Sequence, residues 1–281
     1  MTDLLRYESA LRLGCFSVVL LVMMLWERRQ PRRALSLRRI QRWPGNLGVI
    51  VVDSVVVRLA FPVLAVGVAG LAEARGWGLF HGLHTPFWLA GIASLLLLDG
   101  VIYGQHVLFH KAPLLWRLHR MHHSDLDFDV TTALRFHPLE IVLSMLIKLG
   151  VVAALGAPPV AVMLFEVILN ATAMFNHGNI RLPERLDRLL RWMLVTPDMH
   201  RIHHSIHPEE TNSNFGFNLP WWDRLFGTYR DQPRDGHIGM TIGLESFRDR
   251  RATGLVNLLL QPFLNAETNQ PNFNSNPALR K

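Results

Sequence analysis

Histidines are the residues of this chain whose number and spacing most directly indicate chemistry. Fourteen are present, and ten of them fall into short spaced groups separated by apolar segments. These ten are His106, His110, His119, His122, His123, His137, His177, His200, His203 and His204. Neutral imidazole is the commonest side-chain ligand of transition metals, and ten such rings are hard to explain as core packing. The pattern predicts a metal-binding enzyme of the membrane.

The spacing also predicts how the rings share metal ions. On a helix, His106 and His110 lie one turn apart on the same face, so both can reach one centre. The pattern HxxHH occurs twice, at 119–123 and 200–204, and its adjacent histidines point in different directions. One ring of each adjacent pair can therefore serve each of two metals. About five nitrogens per metal would leave one open position on each octahedral ion, as dioxygen activation requires.

Composition places this chemistry at a membrane. Of 281 residues 49% are hydrophobic and the mean hydropathy is +0.18, with the apolar residues bunched into runs. The net charge of +7 comes from arginines beside those runs, which indicates a membrane surface rather than a nucleic acid. Cys15 is the single cysteine, so an intrachain disulfide and a thiolate metal site are both excluded.

The apolar runs predict an all-α integral membrane protein with about four to five transmembrane or re-entrant helices. The runs cover residues 11–26, 46–71, 86–110 and 139–175. A signal-peptide core is the alternative for the first run, but no small-residue cleavage site follows, which favours a retained anchor. Gly156-Ala157-Pro158-Pro159 breaks the last run and predicts a helical hairpin whose two ends emerge on one side.

Charged residues inside these runs should have partners, because unpaired charges in hydrocarbon are costly. Asp53 and Arg58 are expected to pair with one another or with Asp99. Glu166 and Lys148 are interpreted as membrane-embedded partners of other polar groups rather than as catalysts.

Arginines predict the orientation of the spans. Seven lie between the first and second runs, whereas the loop at 72–85 carries Arg75 alone. The positive-inside rule therefore places the first loop in the cytoplasm. Counting spans from there puts all ten patterned histidines on the cytoplasmic face, and His81 and His84 on the opposite side. His207 and His237 fit no repeated spacing and are not expected to bind metal.

The chain divides into three predicted parts. Residues 1–85 hold the N-terminal membrane helices and the basic cytosolic loop, residues 86–235 the catalytic domain, and residues 236–281 a C-terminal segment. Within the second part, residues 181–195 predict an interfacial amphipathic helix. Trp221 and Trp222 are either a headgroup-level anchor or a buried aromatic pair. Residues 265–281, rich in Asn and Pro, are expected to be a disordered tail.

Several segments together resemble one known family. WRLHRMHH, RFHPLE, NHGN and TPDMHRIHHS, followed by NFGFNLPWWDRLFGTY, are similar to the fatty acid hydroxylase and sterol desaturase superfamily of membrane di-iron enzymes. The resemblance covers roughly residues 90–230 and leaves out the first 85 residues and the tail. It implies a helical membrane base capped by a cytosolic, histidine-bound dimetal centre, with the ten patterned histidines as its ligands and lipid C–H bonds as its target.

We therefore expect a membrane-bound di-iron oxygenase that hydroxylates or desaturates a lipid such as a sterol or a fatty acyl chain. Two iron ions, replaceable by zinc, and dioxygen as co-substrate are implied. No dinucleotide fingerprint is present, so a ferredoxin, a b-type cytochrome or a reductase should supply electrons. Ether-lipid cleavage is a further possible reaction of the same scaffold. No nucleic acid partner is expected.

Neutral ligand rings need hydrogen-bond acceptors to orient them. Six residues are candidates for this role: Asp125, Asp127, Asp129, Glu140, Asn176 and Asp198. Two functions of other classes stay open at this stage. A membrane metal-binding or transport protein would place ligands along a path through the bilayer, whereas these histidines gather on one side. A zinc hydrolase usually needs fewer ligands and a carboxylate base, and the HExxH pattern is absent.

Overall fold

The computed structural model describes residues 5–265, and its long helices follow the apolar runs of the sequence. No β-strand occurs among these residues, and only two isolated bridges, Pro31 to Ile180 and Ser205 to Ile242, join extended segments. The predicted all-α class is confirmed. The predicted tail at 265–281 lies, except for its first residue, outside the described part of the chain.

Eight α-helices lie between residues 5 and 176 of the described chain. They are α1 (Glu8–Arg29), α2 (Arg39–Ala60), α3 (Ala65–Arg75), α4 (Leu79–Gly82), α5 (Phe87–Lys111), α6 (Pro113–His123), α7 (Pro138–Leu155) and α8 (Pro159–Asn176). Within residues 5–265, five stretches are long and apolar enough to cross a bilayer: α1, the segment Arg39–Gly82, α5, α7 and α8. The protein is an integral membrane protein built on these helices.

The second apolar run is not one continuous helix. Helix α2 ends at Ala60, and α3 begins at Ala65. Phe61 takes an extended conformation with φ −124° and ψ 103°, as a residue before proline prefers, and Pro62 cannot continue the helical hydrogen bonds. The run 46–71 therefore supplies one long helix and one short helix that packs on α7 and α8.

The predicted hairpin at 139–175 is present. Gly156 ends α7 in the left-handed conformation with φ 64°, and Pro159 is the first residue of α8. Helix α8 packs against α1, α3 and α5, and the apolar core between them includes Leu98, Val162 and Phe165. His137 precedes the hairpin and His177 follows it, so both open ends of the hairpin lie at the same end of the bundle.

Short helices and turns form the cap beyond this end. They are α9 (Glu184–Leu190), α10 (Pro197–His203), α11 (Pro208–Thr211), α12 (Trp221–Leu225), α13 (Gly236–Gly239), α14 (Leu255–Leu260) and the 3₁₀ turns Thr132–Leu134, Arg250–Thr253 and Gln261–Phe263. The helix predicted over 181–195 is shorter than expected: it starts after Pro183 and ends at Leu190. Trp221 is 40% exposed, whereas the Trp222 indole N–H donates to Asp99 at 2.8 Å.

Polar groups within the membrane helices are mostly paired. Lys148 Nζ lies 2.8 Å from Glu166 Oε1, and Arg12 lies 3.0 Å from the other Glu166 oxygen, so the predicted structural role of Lys148 and Glu166 fits. The expected pairing of Asp53 with Arg58 or Asp99 does not form within residues 5–265. Asp99 instead accepts from Trp222, and one Asp53 carboxylate oxygen is buried without a hydrogen-bond partner.

The loop after α3 touches the turn of the α7–α8 hairpin at the end of the bundle opposite the cap. Gly78 has φ 96°, and a Cβ atom on it would lie 2.1 Å from the backbone nitrogen of Gly156. Only glycine fits both this conformation and this approach. The contact fixes the short helix α3 relative to the hairpin.

We expect Gly78→Ala to lower the free energy of unfolding by roughly 2 to 3 kcal/mol, because it adds both strain and a clash. Gly70→Ala is the matched control: Gly70 lies inside α3, and a Cβ there would meet no atom within 4 Å. Thermal unfolding of the detergent-solubilised variants measures both effects. Equal midpoints for the two variants would contradict the close approach at Gly78.

Candidate metal centre

Nine of the ten patterned histidines converge into two adjacent groups of buried rings. The group of five contains His106, His110, His119, His123 and His203, and the group of four contains His122, His177, His200 and His204. Within each group the potential ligand nitrogens all lie within 4.8 Å of one another. The scattered sequence positions therefore form two neighbouring sites, each able to hold one metal ion.

Helix periodicity decides which ring joins which group. Histidines four residues apart in one helix share a group, as His106 and His110 do on α5 and His119 and His123 do on α6. Adjacent histidines separate: His122 belongs to the group of four although His123 belongs to the group of five. His203 and His204 divide in the same way. The two HxxHH patterns thus tie the two groups together.

His137 is the predicted ligand that the structure does not bring into either group. It is the N-cap of α7, where its Nδ1 accepts the backbone N–H of Leu139 at 3.2 Å. Its Nε2 lies 3.2 Å from the carbonyl oxygen of Leu259. Both ring nitrogens are therefore engaged in holding the start of the hairpin helix. Metal binding by His137 has no geometric support in this arrangement.

The remaining histidines also lie outside the two groups. His207 Nε2 is 2.7 Å from Asp235, and His237 is 3.7 Å from Asp198. His81 lies beside Gly156 at the opposite end of the bundle, and His84 follows in the same loop. Neither pair is placed to share a metal with the nine clustered rings.

In several of the rings, a hydrogen bond to the outer nitrogen determines which nitrogen faces inward. The Nδ1 atoms of His106 and His203 lie 2.8 Å from the carbonyl oxygens of Phe215 and Ser213, respectively. A carbonyl only accepts, so each Nδ1 carries the proton and each Nε2 presents a lone pair. These two Nε2 atoms are 3.0 Å apart. Two lone pairs at this distance repel unless a cation lies between them.

The group of four shows the same arrangement. His177 Nδ1 donates to the carbonyl oxygen of Ala173 at 2.8 Å, and His122 Nδ1 faces that of Arg135 at 3.3 Å. The Nε2 atoms of these two rings then face each other at 3.1 Å, and His200 Nε2 lies 3.1 Å from that of His177. Inward-facing imidazole lone pairs are what a transition-metal ion requires, so both groups fit a metal.

Among the six predicted orienting residues, Glu140 alone contacts a clustered histidine. Its Oε1 lies 2.7 Å from His119 Nδ1. Asp125 and Asp129 bind Arg42, and Asp127 accepts the backbone N–H groups of Ser36 and Leu37. Asn176 donates to the carbonyl oxygen of Phe217, and Asp198 pairs with Arg32 and Arg201. These five residues stabilise the surrounding segments rather than the rings directly.

Backbone carbonyls do most of the orienting, and sequence reasoning missed them. Phe215 presents its carbonyl to His106 because its own N–H, with that of Gly216, donates to the buried Asp223 at 2.8 Å. Thr228 also donates to this carboxylate at 2.6 Å. Burial raises the pKa of Asp223 to about 6. The motif NFGFNLPWWDRLFGT therefore forms a clamp, in which Asp223 holds the backbone whose carbonyl orients the His106 ring. The Asp within this motif is the sequence signal that could have indicated the clamp.

An ionic network joins the cap to the N-terminal basic loop. Arg42, fully buried on α2, pairs with Asp125 and Asp129 at 2.7 and 2.8 Å. Arg135 lies 3.5 Å from Asp125 and supplies the carbonyl that faces His122. Burial alone would raise the pKa of Asp125, but the charges of Arg42 and Arg135 hold it well below its usual range. The carboxylate therefore stays ionised and fixes the segment behind the ring.

A cavity of about 340 Å³ opens beneath the group of five. His106 and His119 line it, and no ring of the group of four does. Apolar side chains from α2, α5, α7 and α8, including Ile50, Phe109, Ile141 and Leu169, form much of its wall. The cavity thus places a largely apolar wall next to one side of the histidine centre.

Comparison with known proteins identifies relatives of the central region. The family profile described as fatty acid hydroxylase matches residues 91–228. Ornithine lipid hydroxylase OlsE of Rhizobium tropici is 29% identical over 189 residues, which are 64% of this chain and 54% of that protein. Alkylglycerol monooxygenase of Danio rerio is 30% identical over 178 residues, 61% of this chain and 38% of that protein.

Cholesterol 25-hydroxylase of Rattus norvegicus is 27% identical over 159 residues, which are 56% of this chain and 52% of that protein. The chain therefore aligns with about half or less of the length of these relatives. No solved structure matches the chain significantly. The matched region contains all nine clustered histidines, together with His137 and the Asp223 clamp.

We expect His177→Ala to lose bound metal, because its ring belongs to the group of four. His137→Asn is the matched control, since Asn can accept the Leu139 N–H as a helix N-cap. Elemental analysis of purified protein should show two metal ions per chain for the wild type and the control, and fewer for His177→Ala. Metal loss in the control of the same size would place His137 in the site.

We also expect the metal-free protein to lose stability in mild acid. Burial lowers the pKa values of His119 and His177 from 6.5 to about 3. The unfolded chain binds protons below pH 6.5 that the folded protein cannot bind, so stability falls as the pH drops from 6.5 towards 3. Each such ring contributes up to about 1.4 kcal/mol per pH unit. Thermal midpoints that stay constant between about pH 7.5 and pH 5.5 would contradict neutral buried rings.

Proposed function

The chain belongs to the fatty acid hydroxylase superfamily, and from this premise we propose that it is a membrane-bound di-iron oxygenase acting on a lipid. The observation that carries the proposal is the pair of histidine groups above a membrane cavity. Nine neutral imidazoles suit a redox-active transition metal, and the cavity gives a lipid access to the group of five. The catalytic part is assigned to residues 86–235.

Nine histidines would hold the two iron ions. The group of five would bind one ion, and the group of four would bind the other. When bound, iron supplies activation of dioxygen, which unreactive C–H bonds require. The protein contributes the rest. His122 and His123, and likewise His203 and His204, would link the two ion sites, because the adjacent residues belong to different groups. Nδ1 hydrogen bonds keep five of the rings, those of His106, His119, His122, His177 and His203, in the tautomer that binds metal.

The surrounding residues protect the reaction from water. All nine rings are at least 95% buried, with Phe128 stacked on His177 and Phe136 stacked on His122. Phe109 and Phe217 line the cavity beside His106 and His119. These aromatic walls let a lipid chain approach while bulk water is excluded, which prevents side reactions of activated oxygen.

Oxygen insertion is the reaction that the relatives favour. The aligned proteins are named as hydroxylases or monooxygenases of an ornithine lipid, an alkylglycerol or cholesterol. We therefore propose hydroxylation of a lipid C–H bond, with desaturation as the alternative outcome of the same hydrogen abstraction. Zinc can occupy the same imidazole sites but would not support this chemistry.

Electrons must come from outside the described region. The sequence holds no dinucleotide fingerprint, so we propose a ferredoxin, a b-type cytochrome or a reductase as the donor. The seven arginines between the first and second apolar runs support a cytoplasmic position of the histidine cap by the positive-inside rule. A soluble cytoplasmic donor could then reach it.

Expression of the wild type and His203→Ala in the same host tests the function. We expect mass spectrometry of total lipid extracts to show a lipid that gains one oxygen atom, or loses two hydrogen atoms, only with the wild type. His207→Ala is the matched control, because His207 lies outside both groups and should preserve activity. Unchanged lipids with an iron-loaded wild type and a supplied reductant would contradict the proposal.

A further inference from the structure

The membrane cavity is lined by acceptor atoms that the protein leaves unpaired. Asp53 Oδ1, Gln105 Oε1 and Glu140 Oε2 are buried and have no hydrogen-bond partner, and all three residues line the cavity. Buried acceptors without partners are rare, because each costs about 1 to 3 kcal/mol. Three acceptors around one cavity therefore indicate an occupant that donates hydrogen bonds.

Among the three residues, Asp53 gives the strongest indication of an occupant that donates a hydrogen bond. Its side chain lies in the middle of α2, a membrane helix, and the residue is only 7% exposed. No basic group within residues 5–265 forms an ion pair with it. Glu140, by contrast, already accepts from His119 through its other oxygen, and the amide nitrogen of Gln105 donates to Ser144. A carboxyl group with this environment in a membrane helix indicates a functional role.

Several of the protein's own side-chain donors in the cavity are already engaged elsewhere. Lys148 and Arg12 both bind Glu166, and the amide nitrogen of Asn170 donates to the Glu166 carbonyl. The Ser54 hydroxyl donates to the carbonyl of Ile50 at 2.7 Å. These contacts leave the cavity with unsatisfied acceptors beside its apolar wall. A plain hydrocarbon chain would match the wall but would leave Asp53 unpaired.

We propose that this cavity selects lipids that carry a hydrogen-bond donor, a hydroxyl or an amine, and that Asp53 accepts this donor. The inference rests on the proposed function only in taking the cavity's occupant to be the lipid that is oxidised. Asp53 is then a specificity residue, which binds the polar group while the apolar wall binds the chain. An aliphatic chain without a donor is disfavoured because it leaves a buried carboxyl group unpaired.

Lipid binding to the zinc-loaded protein in detergent tests this selectivity without turnover. The result therefore does not depend on whether the enzyme oxidises the probe. The probes are a long-chain alkylglycerol with both hydroxyls free and the same molecule with both hydroxyls methylated. We expect the wild type to bind the free diol about tenfold more tightly, as one hydrogen bond to a carboxylate allows. Native mass spectrometry or tryptophan quenching measures both affinities.

Asp53→Leu should bind both probes equally, whereas the control Val57→Leu, on the same helix and also lining the cavity, should keep the preference. Asp53→Leu should also unfold at the same or a higher temperature without lipid, because it removes an unpaired polar group from a membrane helix. The proposal is overturned if the wild type does not distinguish the probes, or if Asp53→Leu retains the tenfold preference.

Discussion

The structure depends on one electrostatic constraint: ring nitrogens with lone pairs face each other at 3.0 to 3.1 Å inside a protein interior that excludes water. Such an arrangement is unfavourable unless positive charge is placed between the nitrogens. Protonation would supply that charge only at a large cost, since burial holds the pKa values of rings such as His203 and His204 well below the ordinary value. Metal ions supply it instead, and we interpret the surrounding structure as a means of keeping the rings neutral and correctly oriented.

Each part of the fold contributes to that orientation. Helices α5 and α6 present histidines one turn apart, and the hairpin of α7 and α8 returns the chain so that His177 reaches the group of four. Carbonyls of Phe215, Ser213, Ala173 and Arg135 hold the outer nitrogens. The Arg42–Asp125 pair lies behind the segment that carries Arg135. The membrane helices and the cap therefore form one support for the centre.

Sequence spacing predicted those features of the structure that local backbone geometry determines. One-turn spacing on helices, the divergence of adjacent histidines and the Gly-Pro break of the hairpin all follow from backbone geometry, and the structure has each of them. Spacing could not show that His137 would cap α7, because its sequence context alone resembles that of a ligand. It also missed the break at Pro62, where apolar composition continues across two helices.

Tertiary contacts were the least predictable feature. The carbonyls that orient the rings carry no side-chain signature, apart from the Phe215 carbonyl, for which Asp223 in the same motif is a sequence signal. Asp53 was expected to find a charged partner because unpaired charges are costly in a membrane. Its position at a cavity changes that interpretation. An acceptor that has no partner and lines a cavity is suited to bind a ligand rather than to stabilise the fold.

X-ray absorption spectroscopy of the iron-loaded protein tests the central claim most directly. If nine imidazoles are shared between two ions, the first coordination shell should be dominated by nitrogen, with the outer-shell scattering of several imidazole rings around each iron. A second iron close to the first should also be detected. A shell dominated by carboxylate oxygen, or a single isolated iron with fewer than about three imidazoles, would contradict the account.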